Sequence, residues 1–263
     1  MFYAKKSLGQ NFLKSKEALR TIIGAAELEA GETVLEVGPG RGALTEGLLD
    51  SGAHVIAVEK DDRMMEFLKD KFSNEVGTGQ LILVNEDILK FNPSSFKLTA
   101  NSYKLIANLP YYITGIFLRT FLSCDNQPSR MVLMLQKEVA KRIVAQDKKE
   151  SILSISVKAY GIPKYVMTVQ KKYFSPVPNV DSAILQIDSI SKTFFIDIDE
   201  DNFFSVIKKA FSQKRKKVIS NIDYPKDRLE KIFTDLGLNL NSRAEDLSLS
   251  DWKNIILRLK SLD

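Results

Sequence analysis

A single cysteine, Cys124, stands in a chain of 263 residues. One thiol excludes an intrachain disulfide and a Cys-based metal site. Histidine is equally scarce: His54 is the only one, and its place before an apolar run marks it as a strand-edge residue rather than a catalytic base. No apolar run reaches about 18 residues, the length a transmembrane helix needs. The start, MFYAKKSLGQNFL, has no small-residue cleavage site of the secretory kind. A soluble, cytoplasmic protein is therefore expected. A large excess of one charge is also missing. Lys and Arg number 38 against 33 Asp and Glu, a formal net charge of +5, so any argument about a polyanionic partner rests on where the cations lie. The hydrophobic share, 44%, is ordinary for a globular protein, and the length allows one good-sized core plus a small appendage.

What is present begins with residues 33–60, TVLEVGPGRGALTEGLLDSGAHVIAVEK. Thr33–Val37 is a short β-branched run that predicts a buried strand. Gly38, Gly40 and Gly42 follow at once, then helix-like sequence over 43–49, then a second strand over 54–58 that ends on Glu59. Strand, glycine turn, helix, strand and acid is the layout of a nucleotide-like cofactor site. The glycines let the backbone approach a ligand, and Glu59 can accept hydrogen bonds from a ribose diol. The same spacing occurs in nicotinamide enzymes, so this stretch leaves the cofactor open.

Along the rest of the chain, Lys5, Lys6 and Lys14 surround Gly9, Gln10, Asn11 and Phe12, and Ser15 reads as a helix N-cap. Helices are predicted over 61–72, 115–122, 136–144 and 151–160, and strands over 81–84, 103–107, 131–135, 165–170 and 183–187. Alternation of strands and helices implies an α/β fold with a mostly parallel sheet covered on both faces. Character changes after about residue 188. A helix is expected over 201–219, carrying the basic run Lys214, Arg215, Lys216 and Lys217, and another from Pro225 to Leu236 with Gly237 as its stop. A last helix is expected over 252–259. The domain division is thus 1–190 and 191–263.

A second constellation, Asn108-Leu109-Pro110-Tyr111, directly follows the fourth predicted strand. In a doubly wound sheet that is the carboxyl edge, shared with the glycine turn and with Asp87 at the end of the third strand. Asn108 and the Leu109 carbonyl can each accept a hydrogen bond from an exocyclic amine. Tyr111 can stack on a planar base, and Pro110 restricts the preceding residue to extended geometry.

With these residues in view, the chain resembles the KsgA family of ribosomal RNA adenine N6,N6-dimethyltransferases along essentially its whole length. LGQNFL at 8–13, VLEVGPGRGALT at 34–45, VIAVEKD at 55–61, EDIL at 86–89 and ANLPYYI at 107–113 match the family's motifs in order. LQKEVAKRI at 135–143, FSPVPNVDSA at 174–183, FSQKRKKVISN at 211–221 and RAEDLS at 243–248 complete the series. Glu86 departs from the pattern, which often has glycine there.

The resemblance implies a Rossmann-like class I methyltransferase sheet with a small C-terminal helical domain for rRNA recognition, and S-adenosylmethionine as cofactor. It implies that Gln10, Asn11 and Leu13 flank the cofactor, that Gly38, Gly40 and Gly42 contact it or permit its approach, and that Glu59 holds its ribose, with Lys60 alongside. Asp87 would face its adenine amine, and Ile88 its ring. Asn108 would lie between methionine part and target base. Leu109, Pro110 and Tyr111 would hold the target adenine, and Phe174 would close on its other face. The implied substrate is a pair of adjacent adenosines near the 3′ end of small-subunit rRNA, reached in the small ribosomal subunit or its precursor, with a part in subunit maturation. A monomer is expected.

The sulfonium methyl is already electrophilic, so alignment and electrostatic placement suffice and no nucleophilic cysteine, metal or strong general base is required. The basic N-terminal arm and residues 214–217 suit phosphate contacts. Two other readings stand beside this one. Some relatives act in ribosome assembly or as nucleic-acid-binding transcription factors. A nicotinamide dehydrogenase would account for the glycine turn but not for Asn108 to Tyr111.

Overall fold

The structure, a computed structural model, describes residue 5 and residues 9–260. Lys6 and Leu8 lie outside the described residues. The elements in chain order are β1 (Phe12–Leu13), α1 (Lys16–Ala26), β2 (Thr33–Val37), α2 (Ala43–Asp50), β3 (His54–Glu59), α3 (Asp62–Lys71), α4 (Ser73–Thr78), β4 (Leu81–Asn85), β5 (Tyr103–Asn108), α5 (Thr114–Ser123), β6 (Arg130–Gln136), α6 (Lys137–Val144), α7 (Ile152–Lys158), β7 (Ile162–Val169), β8 (Phe174–Ser175), β9 (Ser182–Asp188), α8 (Glu200–Ala210), α9 (Lys226–Asp235) and α10 (Leu249–Lys260).

They form two compact units. One holds the residues up to 140 together with 162–190, and the other holds 141–161 together with the residues from 191 onward. The break at 190/191 coincides with the sequence division. Residues 141–161 differ from it by grouping with the C-terminal unit. Packing supplies the reason: Ile155 and Ala159 belong to the same buried cluster as Phe203, Ile207, Phe233 and Trp252, and the Glu150 N–H donates to the Glu245 carbonyl at 2.8 Å.

The first unit is built on a seven-stranded sheet of order β4-β3-β2-β5-β6-β9-β7. Strands β4, β3, β2, β5 and β6 are parallel, and β9 runs antiparallel to both β6 and β7. Consecutive buried residues in β3, β6 and β9 are what covering on both faces produces, because neighbouring side chains point to opposite sides. From β2 the chain first builds outward through β3 and β4. It then returns to lay β5 on the other side of β2, with Val37 opposite both Val58 and Ala107. Such a reversal opens a crevice beyond the carboxyl ends of β2 and β5.

A feature absent from the sequence reading is a separate two-stranded pairing, β1 with β8, in which Phe12 faces Ser175 and Leu13 faces Phe174. Phe12 and Leu13 are therefore held as strand, and the Lys14 N–H donates to the Tyr173 carbonyl at 2.8 Å just beyond them.

In the second unit, the helix predicted over 201–219 ends at Ala210. Residues 214–217 lie in an exposed turn before a single 3-10 turn, Val218–Ser220. Asn221 draws the chain back, its Nδ2 donating to the Ala210 carbonyl at 2.9 Å and to the Gln213 carbonyl at 3.2 Å. Burial of Val218 and Ile219 in the unit's core outweighs the helical propensity of the lysines, a tertiary override of a weak local preference.

Candidate active site

Beyond the carboxyl ends of β2 and β5 lies a cavity of about 330 Å³. Its walls come from the segment 9–14, the glycine turn, the ends of β3 and β4, the loop after β5, Met134 of β6 and the β8 strand.

The turn after β2 runs through positive φ at Gly38 (70°), Gly40 (55°) and Gly42 (73°). A Cβ on Gly38 would meet only the Asn108 carbonyl, at 3.7 Å, so the backbone there faces open space. Gly42 behaves differently. Among the residues expected around the cofactor it alone is absent from the cavity wall, and a Cβ there would lie 2.4 Å from the Phe72 ring. Its work is to let the start of α2 pack closely on Phe72 and Leu68.

Glu59 ends β3 almost wholly buried. One carboxylate oxygen accepts from the Gly40 N–H at 3.2 Å and the other from the Asp61 N–H at 2.9 Å. Burial pushes its carboxyl above the ordinary range, and the N–H groups of Asp61, Gly40 and Lys60 offset part of that rise. Each oxygen keeps a further lone pair for a hydroxyl. Asp87 accepts from Lys60 Nζ at 2.7 Å and from the Leu89 N–H at 3.1 Å. The lysine hydrogen bond holds its carboxyl below the usual carboxylate range.

Two acids that the sequence reading did not single out complete this end. Asp61, with a fully buried side chain, gathers Lys5 (3.2 Å), Gln10 (3.0 Å) and Arg63 (2.6 Å). Arg63 first, then Gln10 and Lys5, hold it far below the usual range. It thereby fastens the N-terminal segment to the end of β3. Glu36, in the interior of β2, is 1% exposed, and neither oxygen has a hydrogen-bond partner among the described residues. Burial pushes its carboxyl up to about 8; Thr45 beside it offsets part of this, and the Glu59 charge adds to it. The run TVLEV announced a buried strand, and an acid inside it was the available signal.

At the other end, Asn108 closes β5. Its Nδ2 donates to the Asn11 carbonyl at 3.3 Å, which turns the amide so that Oδ1 remains the acceptor. The Leu109 N–H donates to the Met134 carbonyl at 3.1 Å, fixing that peptide, while no described residue donates to the Leu109 carbonyl. Pro110 (φ −58°, ψ 129°) leads into a single 3-10 turn, Tyr111–Ile113. The Tyr111 hydroxyl is 2.8 Å from Ser182 Oγ, and burial raises its phenol above the ordinary value. Tyr112, by contrast, is 66% exposed. Phe174 is 2% exposed and lines the cavity from β8. The cavity wall thus unites Gln10, Asn11, Leu13, Gly38, Gly40, Glu59, Lys60, Asp87, Ile88, Asn108, Leu109, Pro110, Tyr111 and Phe174. Phe12, Leu44 and Met134 add walls that only the folded chain discloses.

A family model described as ribosomal RNA adenine dimethylase matches residues 1–261. The chain belongs to that family. It is an S-adenosylmethionine-dependent rRNA adenine methyltransferase. It is 41% identical over 258 residues to the ribosomal RNA small subunit methyltransferase A of Dehalococcoides mccartyi (strain CBDB1), covering 97% of this chain and 88% of that one. Its fold matches a dimethyladenosine transferase from Plasmodium falciparum with a TM-score of 0.82 at 26% identity, over 95% of this chain and 98% of the other. The 23S rRNA methyltransferase ErmE shares the fold at TM-score 0.78 and 24% identity, over 95% and 100% of the two chains. The cavity suits this cofactor on its own terms: the open backbone at Gly38 and the acceptors of Glu59 and Asp87 match a ligand with a ribose diol and an adenine amine. No helix among the described residues is long and apolar enough to cross a membrane.

Proposed function

We propose that the chain transfers two methyl groups to N6 of each of two adjacent adenosines near the 3′ end of small-subunit rRNA. The observation that carries this reading is the orientation of Asn108. With Nδ2 committed to the Asn11 carbonyl, its Oδ1 and the undonated Leu109 carbonyl form a pair of acceptors at the end of β5. That pair fits the two hydrogens of an exocyclic amine. Acceptors lying out of the base plane draw the nitrogen toward tetrahedral geometry and aim its lone pair.

S-adenosylmethionine supplies an electrophilic methyl when bound, with Gly38, Glu59 and Asp87 as its holders and Gln10, Asn11 and Leu13 beside it. The part of Asn108 and Leu109 is to aim N6 at that methyl, so that the carbon bond gained by N6 would be the one given up by the cofactor's sulfur, with the N6 proton released to solvent. Tyr111 and Phe174 hold the faces of the extruded adenine, offsetting part of its unstacking. The apolar wall of Leu44 and Met134 keeps water from the methyl. After the first transfer one N6 hydrogen remains, and a single acceptor holds the monomethyl amine for the second.

The C-terminal unit, with its exposed residues 214–217, would contact RNA phosphates. A cytoplasmic monomer acting on the small ribosomal subunit or its precursor fits a cavity walled by one chain. The test is mass measurement of rRNA after incubating unmodified small subunits with the protein and S-adenosylmethionine. Two adjacent dimethyladenosines in the 3′ fragment are expected. Methylation of a single adenosine in large-subunit rRNA instead would overturn the substrate assignment.

A further inference from the structure

Tyr111 sits on a loop, but its hydroxyl ends on the sheet. The atom it meets, Ser182 Oγ at 2.8 Å, belongs to the first residue of β9, whose side chain is wholly buried. Ser182 is paired on both sides, opposite Gln136 of β6 and Val169 of β7, so two ladders fix its backbone. The residue before it is pinned as well. The Asp181 carbonyl accepts from the Lys137 N–H at 3.0 Å, and Oδ1 of Asp181 accepts from the Lys171 N–H at 3.0 Å. Ser182 Oγ is thus one of the most firmly placed polar atoms at this edge of the sheet.

The other end of the bond is not so placed. Tyr111 follows Pro110 in a single 3-10 turn, an element without a ladder of its own. A tyrosine ring on such a loop has two side-chain torsions to settle, and packing alone fixes them loosely. A hydrogen bond from the far tip of the ring fixes the first of these, because the hydroxyl lies far from Cα; the second turns the ring about the axis that carries the hydroxyl and is left to the walls of the cavity.

We propose that Ser182 is a positioning residue for methyl transfer: it anchors the Tyr111 hydroxyl to β9 and so fixes where the ring that faces the target adenine stands in the cavity. This rests on the reading of Tyr111 as a base-holding residue.

The anchor predicts an equivalence. Ser182→Ala and Tyr111→Phe remove the same bond from opposite ends while keeping the ring. Each should slow single-turnover methylation of small ribosomal subunits by about three- to tenfold, the worth of one ordinary hydrogen bond. The double variant should be no slower than the slower single one. Ser182→Thr, which keeps the hydroxyl, should recover most of the rate. Affinity for S-adenosylmethionine by calorimetry should stay at the wild-type value in all of them, which a general loosening of the fold would not allow. Multiplying losses in the double variant would overturn the anchor. Wild-type rate in Ser182→Ala beside a crippled Tyr111→Ala would overturn it too, leaving the base-holding role of Tyr111 intact. Wild-type rate in Tyr111→Ala would overturn the base-holding reading and the anchor with it. If Ser182→Ala fails to fold, Tyr111→Phe at wild-type rate is the overturning result.

Discussion

The two ends of the cavity hold their polar groups by opposite means. At the glycine-turn end the groups are acids, and most are already occupied: Glu59 by two backbone N–H groups, Asp87 by Lys60, Asp61 by Lys5, Gln10 and Arg63. At the Asn108 end they are neutral, an amide, a peptide carbonyl and a phenol, each aimed by one partner. One end has its charge preset and the other its direction. A ligand with hydroxyls and an amine suits the first. A reaction whose success depends on the angle of one lone pair suits the second.

The contrast breaks most sharply at Asn108. Asn108→Ala removes an acceptor that counts as N6 approaches the methyl, so the single-turnover rate should fall on the order of a hundredfold, with S-adenosylmethionine affinity changed far less. Equal losses in both measurements would dissolve the distinction between the two ends. At the charged end the pattern should invert. Glu59→Ala removes charge-assisted acceptors, and calorimetry should show S-adenosylmethionine binding weakened by roughly ten- to a hundredfold. An unchanged affinity would remove Glu59 from the ribose.

Glu36 sharpens the same contrast through pH. Burial pushes its carboxyl up to about 8 in the folded state, well above the ordinary carboxylate range, so the folded protein keeps a proton that the unfolded chain releases. The contribution of this group to stability is then full below about pH 4.3 and declines as pH rises toward 8, by about 1.4 kcal/mol per pH unit. Glu36→Gln should flatten that decline in denaturant titrations at pH 6 and 8. An unaltered slope would show that the carboxyl is ionised inside the fold. The smallest effect belongs to the second unit. Neutralising residues 214–217 together should weaken RNA binding about three- to tenfold near physiological salt and lower the salt slope by about 1, the loss of roughly one phosphate contact, leaving cofactor affinity alone. A filter-binding series with wild-type slope would exclude these residues from phosphate contact.

Much of this was legible in the sequence because it is local. Thr33–Val37 appears with the bounds predicted for it, since a β-branched run bounded by a glycine turn has few alternatives. Glu59 and Asn108 fall at strand ends and Asp87 two residues beyond β4, at the edge where the alternation of elements put them. What escaped depends on distant partners. Gly42 reads as part of a ligand turn until Phe72 is seen against it. Phe12 and Leu13 carry no strand signal of their own and become one only opposite Ser175 and Phe174. The basic run reads as helix because lysine favours helix, and the pull of Val218 and Ile219 into a core is invisible to local propensity.

The pairing of β1 with β8 has a consequence for the order in which the protein is finished. Residues 12 and 13 are among the first described residues to be synthesised, yet their partners, 174 and 175, follow after every parallel strand of the sheet. Contacts between such distant segments form late, because a long loop must close before they repay it. A nascent chain can therefore complete the glycine turn and the Asn108 loop while the cavity still lacks a wall. Competence to hold ligand arrives as a late event of folding, and under mild denaturant it should be lost while the parallel strands still resist hydrogen exchange.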